Sequence, residues 1–301
     1  MQQTGDILRK LRKKRGLTQK ELVAGIISRP NYSKIENNEI PPTTETLLLL
    51  LERLNLDYTD YIREVNKETK FNEYKAYFLR ALSNDLTIKQ VKELFDYVNQ
   101  HRYISNRYFH FYGIVKGHLH YRFPKIIPNF SEEDKDYLKN YLSKLHNNYS
   151  LYDLKLIADF AGIFYTYEDF KELVLNMPPL NPYAYADDIH PYKLHLHQIY
   201  NNICDIAIRE KDFVTADLLL KKHHELLEVH PELRYNFFYE INRLSKCFYE
   251  TNDPTYLDSI KKYADIFKEI QDYNTAEAIY HQIEGMKNDQ KINPEDLITY
   301  S

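Results

Sequence analysis

The chain has 301 residues, 43% hydrophobic and 28% charged, with only 7 Gly, so it is too long for one core of ordinary size and does not fit a disordered or β-rich class. Its net charge of −4 hides an asymmetry, because residues 1–40 carry nine basic and four acidic side chains, net +5, which leaves −9 for the remainder. A basic head on an acidic body suits a protein whose first segment meets phosphate and whose bulk avoids non-specific adhesion.

The basic start, Met1 to Lys14, has no apolar stretch or small-residue cleavage site after it and does not read as a secretory signal. No stretch reaches the roughly 18 apolar residues of a membrane span; the longest apolar run is Leu47 to Leu51. A cytoplasmic protein is therefore expected, with Cys204 and Cys247 reduced. Their separation of 43 residues makes no metal motif. The 28 Tyr with no Trp read first as a bias of base composition.

In chain order, residues 4–15 predict a helix with Ile7, Leu8 and Leu11 on its buried side, ended by Gly16. Thr18 with Glu21 three residues on predicts a capping box and a second helix that buries Leu22 and Val23. Gly25-Ile26-Ile27 then makes a tight turn, Ser28 caps a third helix, and Pro30 falls in its first turn, where the missing N–H costs little. Tyr32 and Ile35 face inward. Arg29, Asn31, Ser33, Lys34 and Asn37 are left on the outer face, able to donate to phosphates and to read base edges. Beyond Pro41-Pro42, Thr44 caps a fourth helix to Leu54, and Leu47, Leu48, Leu51 and Leu54 are expected to close the small core.

Gly16-Leu17-Thr18-Gln19, Ser28, Ile35-Glu36, Pro41 and the Leu-rich helix after it resemble the Cro and phage-repressor class of helix-turn-helix domain, in the Rgg/GadR/MutR-type variant. The turn before Ser28 is about one residue shorter than the common repressor form, as in that branch. The resemblance implies that Gln19 bonds a backbone phosphate and that Lys20 and Lys34 add phosphate charge. It places Arg29 and Asn31 on base edges, Arg on guanine and Asn on adenine. Glu36 is expected to pair internally, with Arg12 as its partner.

After Asp57 helical periodicity continues, broken near Pro124, Pro128, Pro178-Pro179, Pro182, Pro191, Pro231 and Pro254. Thr87 caps a helix with Val91, Leu94, Phe95 and Val98 on one stripe, and Ser131 with Asp134 and Ser150 with Asp153 repeat the capping logic. Asp212, Phe213 and Ala216 recur as Asp272, Tyr273 and Ala276, an offset of 60 residues that predicts two hairpin repeats of the tetratricopeptide kind. The expected fold is all-α: a helix-turn-helix domain over 1–65, then a helical-repeat domain over 66–301 that binds ligand and dimerises.

A Cro-like head on such an array resembles the Rgg-type regulators that respond to short secreted and re-imported peptides, as in quorum sensing. Asn201 and Asn202 resemble an Asn pair of that family, and an Asn both donates to and accepts from an extended peptide backbone. Tyr235, Tyr239, Asn242 and Lys246 follow helical spacing as a polar-aromatic stripe, opposite Phe237, Ile241, Leu244 and Phe248. Arg234 or Arg243 is placed to take a peptide carboxylate.

His118-x-His120 and His195-x-His197, with His190 and Cys204, are not expected to hold a metal, because i, i+2 side chains on a helix point apart. No cofactor motif, phosphate loop or nucleophile elbow is present, which argues against an enzyme. The expected partners are double-stranded DNA, a short peptide and a second copy of the chain, with no membrane. The alternative is a helix-turn-helix repressor or antitoxin-like factor controlled by a protein partner, and a scaffold with a vestigial head is a third class.

Overall fold

The computed structural model describes residues 4–66, 69–83, 85–145, 149–177 and 190–288, and among these every regular element is helical. The breaks expected at Pro178-Pro179 and Pro182 lie outside the described residues. Backbone packing divides the chain into two compact units, residues 1–101 and 102–301.

The first unit runs α1 (Thr4–Lys14), α2 (Gln19–Val23), α3 (Arg29–Glu36), α4 (Thr44–Arg53), α5 (Tyr58–Asn66), α6 (Lys70–Leu82) and α7 (Ile88–His101). Ile7, Leu8 and Leu11 of α1 meet Leu22, Val23, Tyr32, Ile35, Leu50, Leu51 and Leu54 in one core, where burial of each aliphatic side chain contributes roughly 1.5–3 kcal/mol. The chain turns out of α1 at Gly16, whose φ of +68° favours a residue without a Cβ. The α4 expectation is corrected at two points. Thr43, not Thr44, caps it by accepting from the Thr46 amide. Leu50 rather than Leu48 completes the core, since Leu48 is 48% exposed while Leu50 is fully buried. Positions 47, 50, 51 and 54 share one helical face and 48 does not.

Gly5 sets how closely α1 meets α3. A Cβ there would sit 2.0 Å from the Ile35 carbonyl oxygen, and the Gly5 amide donates to Asn38 Oδ1 at 2.8 Å. Gly5→Ala is therefore expected to destabilise this unit by about 1–3 kcal/mol or more, read as a lower unfolding midpoint; an unchanged midpoint would show that α1 shifts freely.

The second unit runs α8 (Asn106–Leu119), α9 (Glu132–Leu142), α10 (Leu151–Phe164), α11 (Tyr167–Leu175), α12 (His190–Arg209), α13 (Phe213–Val229), α14 (Leu233–Thr251), α15 (Thr255–Glu269) and α16 (Tyr273–Lys287). Ser131 with Asp134 and Ser150 with Asp153 form complete capping boxes. Pro191 falls in the first turn of α12 and Pro254 caps α15, so neither interrupts a helix. The 60-residue repeat is present in the backbone. Asp212 and Asp272 cap α13 and α16 with φ near −85° and accept from the Thr215 and Thr275 amides, and Ala216 and Ala276 are buried. The offset spans three helices rather than the two hairpins expected, because α14 stands between the α12–α13 and α15–α16 hairpins and packs on α12, α13 and α15.

Candidate nucleic-acid interface and ligand-binding face

Glu36, the last residue of α3, is the hub of the core formed by α1 to α4. Its carboxylate accepts from Arg12 Nε at 2.7 Å, Arg12 Nη2 at 3.2 Å and Gln19 Nε2 at 2.9 Å, with Arg9 Nε 3.6 Å away. Burial works against the charge, but the Arg12 and Gln19 donors outweigh it and hold the carboxyl below its ordinary range. The internal partner expected for Glu36 is thus Arg12. Arg9 adds a second tie, donating to the Glu36 carbonyl at 2.8 Å and to Asn37 Oδ1 at 2.6 Å. Arg53 holds the other end of the motif through the Glu21 and Ala24 carbonyls at 3.2 and 3.0 Å. Sequence reading missed Arg9, in the middle of α1, and Arg53, at the end of α4, because their nearest acceptors are backbone carbonyls and an amide that no pattern of charges reveals.

This frame turns one side of α3 outward. Arg29, Asn31 and Lys34 are exposed, Ser33 is half-buried, and Tyr32 and Ile35 are buried as expected. Among the described residues Lys20, Arg29 and Lys34 have no ion-pair partner, unlike Lys10 and Lys14, which face Glu64. Ser28 caps α3 by accepting from the Asn31 amide at 3.4 Å, leaving its hydroxyl proton to donate. Gln19 gives one N–H to Glu36 and keeps a second. Asn37 is more committed, since its amide accepts from Arg9 and donates to Glu39 at 3.3 Å.

In the second unit, the structure joins three of the expected ligand residues. Asn242 Nδ2 donates to Asn201 Oδ1 at 2.9 Å, and Asn201 Nδ2 to Asn202 Oδ1 at 3.4 Å. Asn202 continues to the Ala158 carbonyl at 3.4 Å, beside Gln198, which donates to the same carbonyl and to Asp159 Oδ1 at 3.3 Å. The result is a row of amides from α14 across α12 to α10. Asn201 and Asn242 are its buried members, whereas Asn202 and Gln198 are half-buried. Gln198 and Asn202 of the row share one side of α12 with Asp205 and Arg209, a helical spacing legible in the sequence but not sought there.

The other expected ligand residues are dispersed. Arg234 donates to Thr275 Oγ1 at 2.8 Å, Arg243 to Glu240 at 2.8 Å, and Lys246 pairs with Asp217 at 3.2 Å and Glu250 at 2.8 Å. Tyr235 stacks on His197 with ring centroids 4.9 Å apart, and Tyr239 on His224 at 5.5 Å.

Among the described residues no three His, Cys, Asp or Glu side chains are grouped to hold a metal. His197 contacts the His230 carbonyl through Nε2 at 3.1 Å and His223 Nε2 through Nδ1 at 3.2 Å. A carbonyl only accepts, so neutral His197 carries its proton on Nε2 and accepts from His223. Burial pushes the two imidazoles down to about 4 and about 3, so both are neutral near pH 7. Cys204 is a buried core thiol, pushed up by that burial. No helix among the described residues is long and apolar enough to cross a membrane.

Residues 8–61 match the family described as Helix-turn-helix. No curated protein matches the sequence. Among solved structures, the SHP pheromone receptor Rgg2 of Streptococcus dysgalactiae superposes with a TM-score of 0.71 at 19% identity, over 94% of this chain and 99% of that chain. PrgX in complex with cCF10 superposes at 0.70 and 16% identity, over 98% and 95%. A bacterial peptide pheromone–receptor complex gives 0.66 and 16%, over 96% and 99%. Residues 8–61 therefore form a helix-turn-helix domain, on a chain that shares its all-helical fold with Rgg2 and PrgX.

Proposed function

We propose that the chain is a cytoplasmic transcription regulator that binds DNA as a homodimer through residues 1–65 and takes a short signalling peptide on residues 66–301. The observation that carries the reading is the outward face of α3, where Arg29 and Lys34 lack ion-pair partners among the described residues on a helix whose other side is fixed by Glu36. Cations left without acid partners, beside an Asn able to bond adenine at two points, suit a duplex groove. The fold shared with proteins described as pheromone receptors supports the peptide half, and the half-buried amides of Gln198 and Asn202, backed by the buried Asn201 and Asn242, supply donors and acceptors for an extended backbone. Such a molecule works by binding and not by catalysis.

In this reading Arg29 and Asn31 read bases, while Gln19, Lys20, Ser28, Ser33, Lys34 and Asn37 border the phosphates. Asn201, Asn202, Tyr235, Tyr239 and Asn242 form the peptide site; Arg234, Arg243 and Lys246 join it by exchanging their present acid or hydroxyl partners. One small module buries too little surface for useful specificity, so a two-fold pair reads half-sites about 34 Å apart or a multiple of that.

Arg29→Ala is expected to cost about 1–3 kcal/mol on the preferred duplex and to relax base preference at one position. Lys34→Ala is expected to weaken all duplexes alike and to reduce the slope of log K against log salt by about one. Anisotropy titrations on duplexes selected from a random pool, repeated across a salt series, check both. Equal losses on selected and random DNA for Arg29→Ala would remove it as a base reader, and absence of any selected duplex would sink the regulator reading.

A further inference from the structure

The carboxylates on the amide-lined face of the second unit are not equally neutralised. Asp205 is held by Arg209 Nη2 at 2.8 Å and by the Gln282 amide at 3.2 Å. Elsewhere on α10, Asp153 closes the Ser150 capping box by accepting from the Ser150 amide and also accepts from Tyr141. Asp159 differs, because among the described residues no lysine or arginine pairs with it. Its Oδ2 meets His110 Nε2 at 2.6 Å, and its Oδ1 takes only the long Gln198 bond of 3.3 Å.

Asp159 stands at the α10 end of the amide row, where Gln198 and Asn202 share the Ala158 carbonyl. Both Asp159 and His110 retain solvent access, with side chains 9% and 12% exposed. His118, His195, Tyr152 and Tyr235 lie within electrostatic reach of the carboxylate, and Lys155 acts on His195 from the same helix as Asp159. Apart from Lys155 and from Arg107, which acts on Tyr152, these surrounding groups are imidazoles and phenols, beside a carboxylate whose second oxygen takes one long bond. The amides match a peptide backbone; the acid at the end of their row matches a cation.

We propose that Asp159 receives a primary ammonium group of the peptide, so that the face selects a cationic terminus or side chain as well as backbone amides. A charge-assisted N–H···O bond forms at about 2.7–2.9 Å and is roughly twice as strong as a neutral one, so an ammonium displaces the Gln198 amide from Oδ1. His110, on Oδ2, then competes with the ammonium for the carboxylate. The proposal rests on reading this face as the peptide site.

The full-length protein is offered three pools of octapeptides built from Leu, Ile, Val, Phe and Ala. One pool has free α-amines, one is N-acetylated, and one is N-acetylated with a single internal Lys; retained peptides are identified by mass spectrometry and ranked by competition anisotropy. Acetylation is expected to weaken binding about tenfold or more, the scale of one charge-assisted bond. Restored affinity in the Lys pool assigns the ammonium to a side chain, and no restoration assigns it to the terminus. Asp159→Asn keeps the shape of the side chain and is expected to abolish the effect of acetylation, while His110→Gln, by removing the competing imidazole, tightens the free-amine pool. Equal affinity for all three pools, or an Asp159→Asn protein as sensitive to acetylation as the wild type, overturns the proposal. If that binding is still lost in Asn202→Ala, the peptide site itself stands; retention of no pool by the wild type sinks both.

Discussion

Glu36→Ala is expected to destabilise the amino-terminal unit by about 3–5 kcal/mol, the cost of breaking a buried pair and stranding its partner. The Arg12 and Glu36 side chains are only 12% and 2% exposed, so removal of the carboxylate leaves the guanidinium with the Leu17 carbonyl, at 2.7 Å, as its remaining strong acceptor. Gln19 loses its acceptor too. Glu36→Gln preserves shape and one acceptor and should cost less. The two units need not unfold together, so amide exchange in α1 and α3 is the measurement that isolates the effect. A loss below about 1 kcal/mol would place the pair among those that contribute nothing net.

The same carboxylate makes this unit acid-sensitive. Its pKa is lowered in the fold from an ordinary 4.5, so the stabilisation is fully present above that value and is lost as pH falls through the lower folded value. Exchange protection of α3 in the wild type should therefore fall in acid more steeply than in Glu36→Gln. Equal pH profiles would show that other carboxylates dominate.

Asp134→Ala is expected to cost the second unit a similar 3–5 kcal/mol. Lys116 Nζ lies 2.8 Å from Asp134 Oδ2 and 2.7 Å from the Tyr112 hydroxyl, with both charged side chains at most 3% exposed. Asp134 also closes the capping box of α9 by accepting from the Ser131 amide at 2.9 Å. The substitution removes both, leaving the ammonium with one hydroxyl and the faces of Tyr112 and Phe130, 4.8 and 5.3 Å from their centroids. Lys116→Met is the milder change, because Asp134 keeps its Ser131 and Tyr112 donors. Exchange protection in α8 and α9 reads both variants, and a Lys116→Met protein weaker than Asp134→Ala would reverse this ranking of the two partners.

These two hubs show which parts of the molecule local sequence reveals. The capping boxes at Thr18, Ser131 and Ser150 and the Ser28 cap were legible because each bond closes within four residues. Lys116 and Asp134 lie eighteen residues apart on separate helices, and no spacing pairs them. The outer face of α3 was readable for the first reason. Once Tyr32 and Ile35 are buried, the helical period leaves Arg29, Asn31 and Lys34 outside.

The face proposed for the peptide behaved differently. A polar stripe was expected on α14, yet Asn242 of that stripe is buried against Asn201, and Lys246 turns toward Asp217 of α13. Helical period tells which residues share a face but not which neighbour the face meets, and α14 packs against α12, α13 and α15. The sequence by itself determined most helix starts, their class, the basic outer face of α3 and the Asp-aromatic-Ala repeat, since propensity, caps and period act over a few residues. Only tertiary structure decided that the sixty-residue repeat spans three helices, that Leu50 rather than Leu48 fills the core, and that Asp159, Gln198 and Asn202 meet on one face. Those outcomes depend on contacts between residues distant in the chain, whose energies no local pattern encodes.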